Sequence, residues 1–212
     1  MNTPNLWKRI KKRLYRIARA CNPRERRLRA LYKRFSESPD GARIIAFRNA
    51  KKLWRLIREF RPKNTLELGT GIGASAAFIA DALPAQGKLT TLEQDEKYCS
   101  LANTIIPQNL QKKIKILHSP VRTFFLDYIS PSQTLSGYTS LPTECGPFDF
   151  VLVDGPTASF PNGDLFHIIP HLAFGCLVLV DGRAEAVKLY KKHIINLECI
   201  AESPYFTLFR LK

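Results

Sequence analysis

The chain has 212 residues, 45% of them hydrophobic, enough to build one domain with a full core. It carries 33 Lys/Arg against 18 Asp/Glu, a net charge of +15, and contains no run of 18 apolar residues able to cross a membrane. The start lacks the apolar stretch of a signal peptide, and Cys21, Cys99, Cys145, Cys176 and Cys199 show no C-x-x-C spacing, so reduced thiols in a cytoplasmic protein are expected and a zinc site is not.

The charge is unevenly placed. Residues 1–62 hold 20 Lys/Arg against 4 Asp/Glu, whereas residues 63–212 hold 13 against 14. Along the first segment Trp7, Ile10, Leu14, Ile17 and Cys21 recur at helical spacing, with Lys8, Arg9, Lys11, Lys12, Arg13, Arg16 and Arg19 around the rest of the wheel. A basic amphipathic helix of this kind suits an anionic membrane surface. It also suits nucleic-acid phosphates, and plain packing or an oligomer contact is the unremarkable alternative, ahead of nucleic acid. Asn22-Pro23 breaks this helix and caps another, in which Leu28, Leu31, Tyr32 and Phe35 share a face. A third helix, 41–60, carries Ile45, Leu53, Trp54, Ile57 and Phe60 before Pro62 and is expected to pack on the domain as a lid. The chain therefore divides into a basic helical extension, 1–37, and a domain, 38–212.

The most informative stretch follows: Thr65-Leu66-Glu67-Leu68-Gly69-Thr70-Gly71-Ile72-Gly73-Ala74-Ser75. A short apolar strand, 65–68, enters three alternating glycines and then a helix, 73–83. Glycines are needed where the backbone turns tightly or a ligand touches the main chain, and the helix start offers free N–H groups. Gly69, Gly71 and Ala74 also fit the dinucleotide pattern, so the glycines alone do not choose a cofactor. Glu67 favours the methyl donor S-adenosylmethionine, because a carboxylate there would repel a pyrophosphate but suits an amino and sulfonium group. Glu93 ends the next strand, 88–93, where a carboxylate can accept from ribose hydroxyls in either cofactor class.

Beyond Glu93 the pattern reads helix 95–106, strand 113–117, helix 121–128, strand 148–153, helix 164–172, strand 176–181 and helix 183–193. Such alternation predicts an α/β, Rossmann-like, mostly parallel seven-stranded sheet with helices on both faces. Leu197–Glu202 and Tyr205–Leu211 lie too close for a crossover and should form an antiparallel hairpin. The polar stretch Ser130–Pro147 reads as a long loop with a substrate role in view. His167 and His171 are four apart, but Pro170 and the lack of a third ligand make them ordinary histidines.

With these features the chain resembles the class I S-adenosylmethionine-dependent methyltransferases, and among them the small O-methyltransferases of the catechol and macrocin types. The resemblance covers roughly residues 38–212 and includes Ser38-Pro39-Asp40-Gly41, the glycine loop, Glu93 with Asp95-Glu96, Val153-Asp154-Gly155-Pro156 and Val180-Asp181-Gly182-Arg183. It implies that Glu67, Gly69, Gly71, Gly73 and Ser75 hold the methionine part of the cofactor, with Thr70 and Gln94 in the same binding set. Glu93 would hold the ribose, Ser119 would lie beside the adenine, and Asp154 would face the reacting centre as the catalytic candidate and also touch the cofactor.

Metal-dependent members place magnesium between two strand-end acids and a third Asp or Asn directly after the second. Here Asp154 and Asp181 fit, but the third position is Gly182, and the catechol-type lysine is replaced by Thr157. Two carboxylates and water can still hold magnesium, but no metal ligand set is assigned and weak or absent metal dependence is expected. The resulting expectation is O-methylation of a small molecule. The alternatives are an RNA methyltransferase guided by the basic arm and a membrane-associated, non-catalytic cofactor-binding protein. The Asn/Asp-Pro-Pro-Tyr/Phe motif of base-amine methyltransferases is absent, with Asp154-Gly155-Pro156 in its place.

Overall fold

The computed structural model describes residues 22–130, 132–157 and 159–212. The expected first basic helix, with its stripe from Trp7 to Cys21, lies outside the described residues. The first described helix, α1 (Pro23–Ser36), starts as the sequence predicts: the Asn22 side chain accepts from the backbone N–H of Arg24 at 3.0 Å and Pro23 occupies the first turn. Helix α2 (Phe47–Phe60) is shorter than the expected 41–60. Residues 38–46 instead form turns around a single 3-10 turn at Gly41–Arg43, and this takes Ile45 out of the helix. The helix ends at Arg61, which adopts a left-handed conformation just before Pro62.

The expected sheet is present. Strands β1 (Asn64–Leu68), β2 (Lys88–Glu93), β3 (Ile114–His118), β6 (Phe148–Val153), β7 (Leu172–Asp181), β8 (Leu197–Glu202) and β9 (Phe206–Leu211) form one sheet in the order β3-β2-β1-β6-β7-β9-β8. The first five are mutually parallel, while β9 runs antiparallel to both β7 and β8, so the C-terminal hairpin is as expected. Helices α3 (Ala74–Ala82), α4 (Glu96–Ile105), the single turn α5 (Gln108–Gln111), α6 (Asp164–Ile168) and α7 (Ala184–His193) complete the framework.

Four further expectations are corrected. Residues 121–128 do not form a helix: β4 (Val121–Phe124) pairs antiparallel with β5 (Leu135–Tyr138), with Val121 opposite Tyr138 and Phe124 opposite Leu135. Val121 and Thr123 are β-branched and suit a pleated ribbon better than a helix. The stretch 130–147 is therefore not one loop, since β5 lies within it and is buried along its length. Helix 164–172 stops at Ile168 and tightens into a 3-10 turn, Ile169–His171, where Pro170 lacks the N–H to continue; β7 then starts at Leu172 rather than 176.

Strand side chains alternate between two cores. Leu66 and Leu68 of β1 join Val151, Val153, Val178, Val180, Tyr138, Tyr190 and Phe209 on one face. The other face packs Phe150, Leu152, Leu177 and Leu179 with Phe78 and Ile79 of α3, Leu53 and Ile57 of α2, and Leu28 and Phe35 of α1. Helix α1 thus shares the core of the sheet. By the same alternation Glu67 points to the α3 side, directly opposite Thr91 in the β1–β2 register.

The strand order reverses direction between β1 and β6, where Leu68 and Val153 are register partners. Connections leave these two strands toward opposite sides and open a crevice beyond their carboxyl ends, the usual ligand position in such sheets.

Candidate active site

A cleft of about 400 Å³ occupies that crevice. One wall is the glycine loop with Glu93, Gln94 and Asp95; the opposite wall is Asp154–Thr157 with Arg183; Asp40, Ile44 and Ile45 from the α1–α2 connection close the side, with Tyr98 and Tyr138. A second cavity of about 520 Å³ lies between α1 and α2, lined by Arg24, Lys51, Trp54 and Arg58 among others. It is away from the strand ends, and the gathered loop amides and carboxyls are in the first cleft.

The three glycines do three different things. Gly69 has φ +105°, and a Cβ on it would stand 2.6 Å from the backbone N of Gly155, so it lets the ends of β1 and β6 meet. At Gly73 a Cβ would press on Ile106 at 2.7 Å, where α3 begins beside the end of α4. Gly71, at φ +52°, lines the cleft, and a Cβ there meets nothing within 4 Å. Its bare main chain leaves the room a ligand needs.

Beneath the loop lies a buried polar chain. The Thr91 hydroxyl donates to Glu67 Oε2 at 2.6 Å and shares a 2.6 Å bond with the hydroxyl of Thr70, which lines the cleft. Glu67 is fully buried and its Oε1 has no hydrogen-bond partner. Burial pushes its pKa up to about 8, opposed by the nearby hydroxyls of Ser75 and Thr91 and assisted by the Asp154 and Glu93 carboxyls. Ser75, at the start of α3, lines the cleft above it. An orphaned carboxyl oxygen under a bare loop fits a positively charged group better than a pyrophosphate.

Glu93 is satisfied by main chain. Its Oε2 accepts from Gly71 N at 2.6 Å, and Oε1 accepts from Gln94 N at 2.8 Å and Asp95 N at 3.1 Å. The carboxylate therefore pins the glycine loop to the end of β2. Gln94 spans the cleft, its Oε1 accepting from Thr157 N at 2.9 Å. Ser119 is buried and is not among the cleft-lining residues; its hydroxyl donates to Ser140 O at 3.0 Å and accepts from Ser140 N at 3.0 Å.

Asp154 opens onto the cleft, but the surrounding protein desolvates it and pushes its pKa up to about 7; Asp181 adds to the rise and Arg183 opposes it. Burial likewise raises Asp181, with Arg183 again opposing. Behind this wall Asp164 Oδ1 accepts from Tyr138 N at 2.9 Å and Oδ2 from Asn162 Nδ2 at 2.8 Å, while Asn162 Nδ2 also reaches Gly155 O at 3.0 Å. Tyr190 closes the network by donating to Asn162 Oδ1 at 2.6 Å.

Sequence reasoning missed Tyr138 and Arg183. Tyr138 sits in a stretch whose composition reads as loop, and its hydroxyl donates to Leu92 O at 3.3 Å below the glycine loop. Arg183 is the last residue of the second strand-end motif, Val180-Asp181-Gly182-Arg183, and that motif is the available signal. His167 rests against the ring of Phe124, with centroids 5.0 Å apart, and no group of metal-ligating side chains occurs among the described residues.

The sequence profile of the O-methyltransferase family matches residues 24–182, about three quarters of the chain. The chain belongs to the O-methyltransferase family. A catechol O-methyltransferase from Niastella koreensis is 33% identical over 107 residues, covering 50% of this chain and 43% of that protein. The chain thus matches less than half the length of that relative. Among solved structures, an O-methyltransferase from Bacillus cereus in complex with SAH superposes with a TM-score of 0.64 at 18% identity, covering 91% of this chain and 93% of the other. The O-methyltransferase TomG from Streptomyces achromogenes, in complex with SAM, gives 0.58 at 21% identity over 86% and 89% of the two chains. These likenesses establish a methyltransferase fold for this family member.

Proposed function

We propose that this O-methyltransferase-family chain transfers a methyl group from S-adenosylmethionine to a hydroxyl of a small molecule. The observation that carries the reading is the bare loop at Gly71 set over the buried, half-unpartnered carboxyl of Glu67. When bound, S-adenosylmethionine supplies a methyl group on a positively charged sulfur, open to in-line attack. Gly69, Thr70, Gly71, Gly73 and Ser75 would hold its methionine part, with Glu67 supplying negative charge from below. Glu93, Gln94 and Ser119 would position the nucleoside end, Glu93 through the loop it pins and Ser119 through the 139–140 segment it ties down.

On the opposite wall Asp154 takes the proton of the acceptor hydroxyl. A carboxyl with a pKa of about 7 is suited to accept a proton at neutral pH. Ile44, Ile45 and Tyr98 would narrow the cleft so that water is excluded and the acceptor oxygen is aligned. Calorimetry with S-adenosylmethionine, S-adenosylhomocysteine and NAD tests the cofactor, and transfer of labelled methyl to catechol and simple phenols tests the reaction. Tight NAD binding with none for the methyl donor would sink the reading. Cofactor binding with no transfer to any hydroxyl compound would favour the non-catalytic alternative.

The basic extension supports a second reading, of place. Residues 1–35 carry 13 Lys/Arg against one acid, and Arg24, Arg26, Arg27 and Arg29 of α1 are exposed. Each such residue near an anionic bilayer contributes about 1 kcal/mol. We assign this segment to reversible attachment at an anionic membrane surface, separable from catalysis and weakened by salt. No described helix is long and apolar enough to cross a membrane. Because Leu28 and Phe35 belong to the core, the test deletes residues 1–21 rather than 1–35. Sedimentation with anionic vesicles should fall in the deletion while cofactor binding stays. Equal pelleting with neutral vesicles removes the reading, and binding to RNA alone favours the nucleic-acid alternative.

A further inference from the structure

The second wall of the cleft departs from the metal-dependent pattern in a way that the geometry makes specific. Val153 and Val180 are register partners in β6 and β7, so Asp154 and Asp181 follow each other at adjacent strand ends. The position after Asp181, where a third ligand would stand, is Gly182 at φ +64°. A Cβ there would meet nothing within 4 Å, so the third ligand is missing although there is room for it.

The turn at Gly182 instead delivers Arg183 to the cleft wall. Its Nη1 donates to Pro156 O at 2.9 Å and its Nη2 donates to Asp154 O, while the buried Nε has no hydrogen-bond partner. Arg183 is half-buried, and leaving its buried Nε donor unsatisfied is costly unless nearby negative charge offsets it. Two carbonyl oxygens take its Nη donors, and the carboxyl-bearing residues Asp154 and Asp181 stand at the same two adjacent strand ends.

We infer that the guanidinium of Arg183 is the resident cation of this centre, standing between the ends of β6 and β7 in place of a divalent ion. The two strand-end acids and the Arg183 side chain form one electrostatic unit. A guanidinium stays charged at every accessible pH and cannot act as a base. It therefore stabilises an acceptor oxyanion while Asp154 remains free to take the proton. The inference rests on the methyltransferase reading for this consequence, but not for its test.

Mn²⁺ is titrated into the full-length protein, with and without S-adenosylhomocysteine, and free ion is counted by electron paramagnetic resonance. The wild type should take up no Mn²⁺ at this centre below about 1 mM, since a fixed like charge opposes the ion. Arg183→Gln keeps an amide donor for the Asp154 and Pro156 carbonyls but removes the charge, and should bind Mn²⁺ at least about tenfold more tightly. Adding Gly182→Asn, which tolerates the left-handed backbone, should tighten binding again. Circular dichroism checks each fold, and Arg183→Met replaces the glutamine variant if that one does not fold. Stoichiometric Mn²⁺ uptake by the wild type that disappears in Asp181→Asn overturns the inference, as does the absence of any gain in the neutral variants. Calorimetry with S-adenosylhomocysteine on the same samples reports separately on the cofactor reading.

Discussion

The two walls of the cleft are built by different means. On the β1–β2 side main chain does the shaping: glycines allow the loop to turn, and the carboxylate of Glu93 accepts three backbone N–H groups. On the β6–β7 side the shaping is done by side chains, with Arg183 clasping two carbonyls and Asn162, Asp164 and Tyr190 bracing Gly155 from behind. A wall of main chain tolerates little change in sequence and can serve any acceptor. A wall of side chains can be rebuilt one residue at a time, which is where family members on one fold are free to diverge.

The comparison breaks hardest at Gly69. An alanine there must keep φ near +105° and bring its Cβ within 2.6 Å of Gly155 N, so Gly69→Ala should cost about 2–4 kcal/mol of stability. Gly71→Ala is the control on the same loop. It meets open space, so thermal unfolding should report only about 1 kcal/mol of backbone strain, while cofactor affinity falls sharply. Equal destabilisation by both would mean that the loop is shaped as a whole and not by the contact at Gly69.

Next in size is Glu93→Ala. It strands three backbone donors and should weaken S-adenosylmethionine binding by about 1–3 kcal/mol in a calorimetric titration. An unchanged affinity would show that the loop holds its form without the carboxylate.

A smaller effect distinguishes the walls by pH. Glu67, at about 8, Asp154, at about 7, and Asp164, also at about 7, bind protons more tightly folded than unfolded. For a raised acid the folded state holds the extra proton between the unfolded value, about 4, and the folded one, so stability is lost as pH climbs through that window. The ligand-free protein should therefore unfold more easily at pH 8 than at pH 5, and Asp164→Asn and Glu67→Gln should flatten the slope. Binding of the cationic cofactor should ionise Glu67 and release a fraction of a proton at pH 7, visible as a binding enthalpy that depends on the buffer. A buffer-independent enthalpy would mean that Glu67 does not sense the ligand.

The same division governs what could be read in the sequence. The β1 strand, the glycines, Glu67 and Glu93 are contiguous or follow one another along the chain, and the spacing of local signals is enough to place them. The terminal hairpin is equally local, because two residues cannot hold a crossover. The β4–β5 ribbon is different: Val121 meets Tyr138 seventeen positions along the chain, and nothing near Val121 announces its partner. The resemblance sets Ser119 beside the adenine, but the tie of its hydroxyl to Ser140 depends on that ribbon and has no local signal. Arg183 closes the strand-end motif Val180-Asp181-Gly182-Arg183, but its reach back to Pro156 requires β6 and β7 to lie side by side. Helix α1 hid its role for a related reason: its charge is conspicuous, while the burial of Leu28 and Phe35 depends on a sheet that begins thirty residues later.

The bond between Gln94 and Thr157 is one of the few direct ties between the two lips of the cleft. A neutral hydrogen bond of this kind contributes about 1 kcal/mol net, which corresponds to roughly a fivefold preference for the shut arrangement. The latch is therefore weak enough for ordinary thermal motion to lift. Parting one glutamine from one backbone amide then loosens the lips with no remodelling of the sheet, and Gln94→Ala should speed the escape of bound S-adenosylhomocysteine more than it alters the shape of the site.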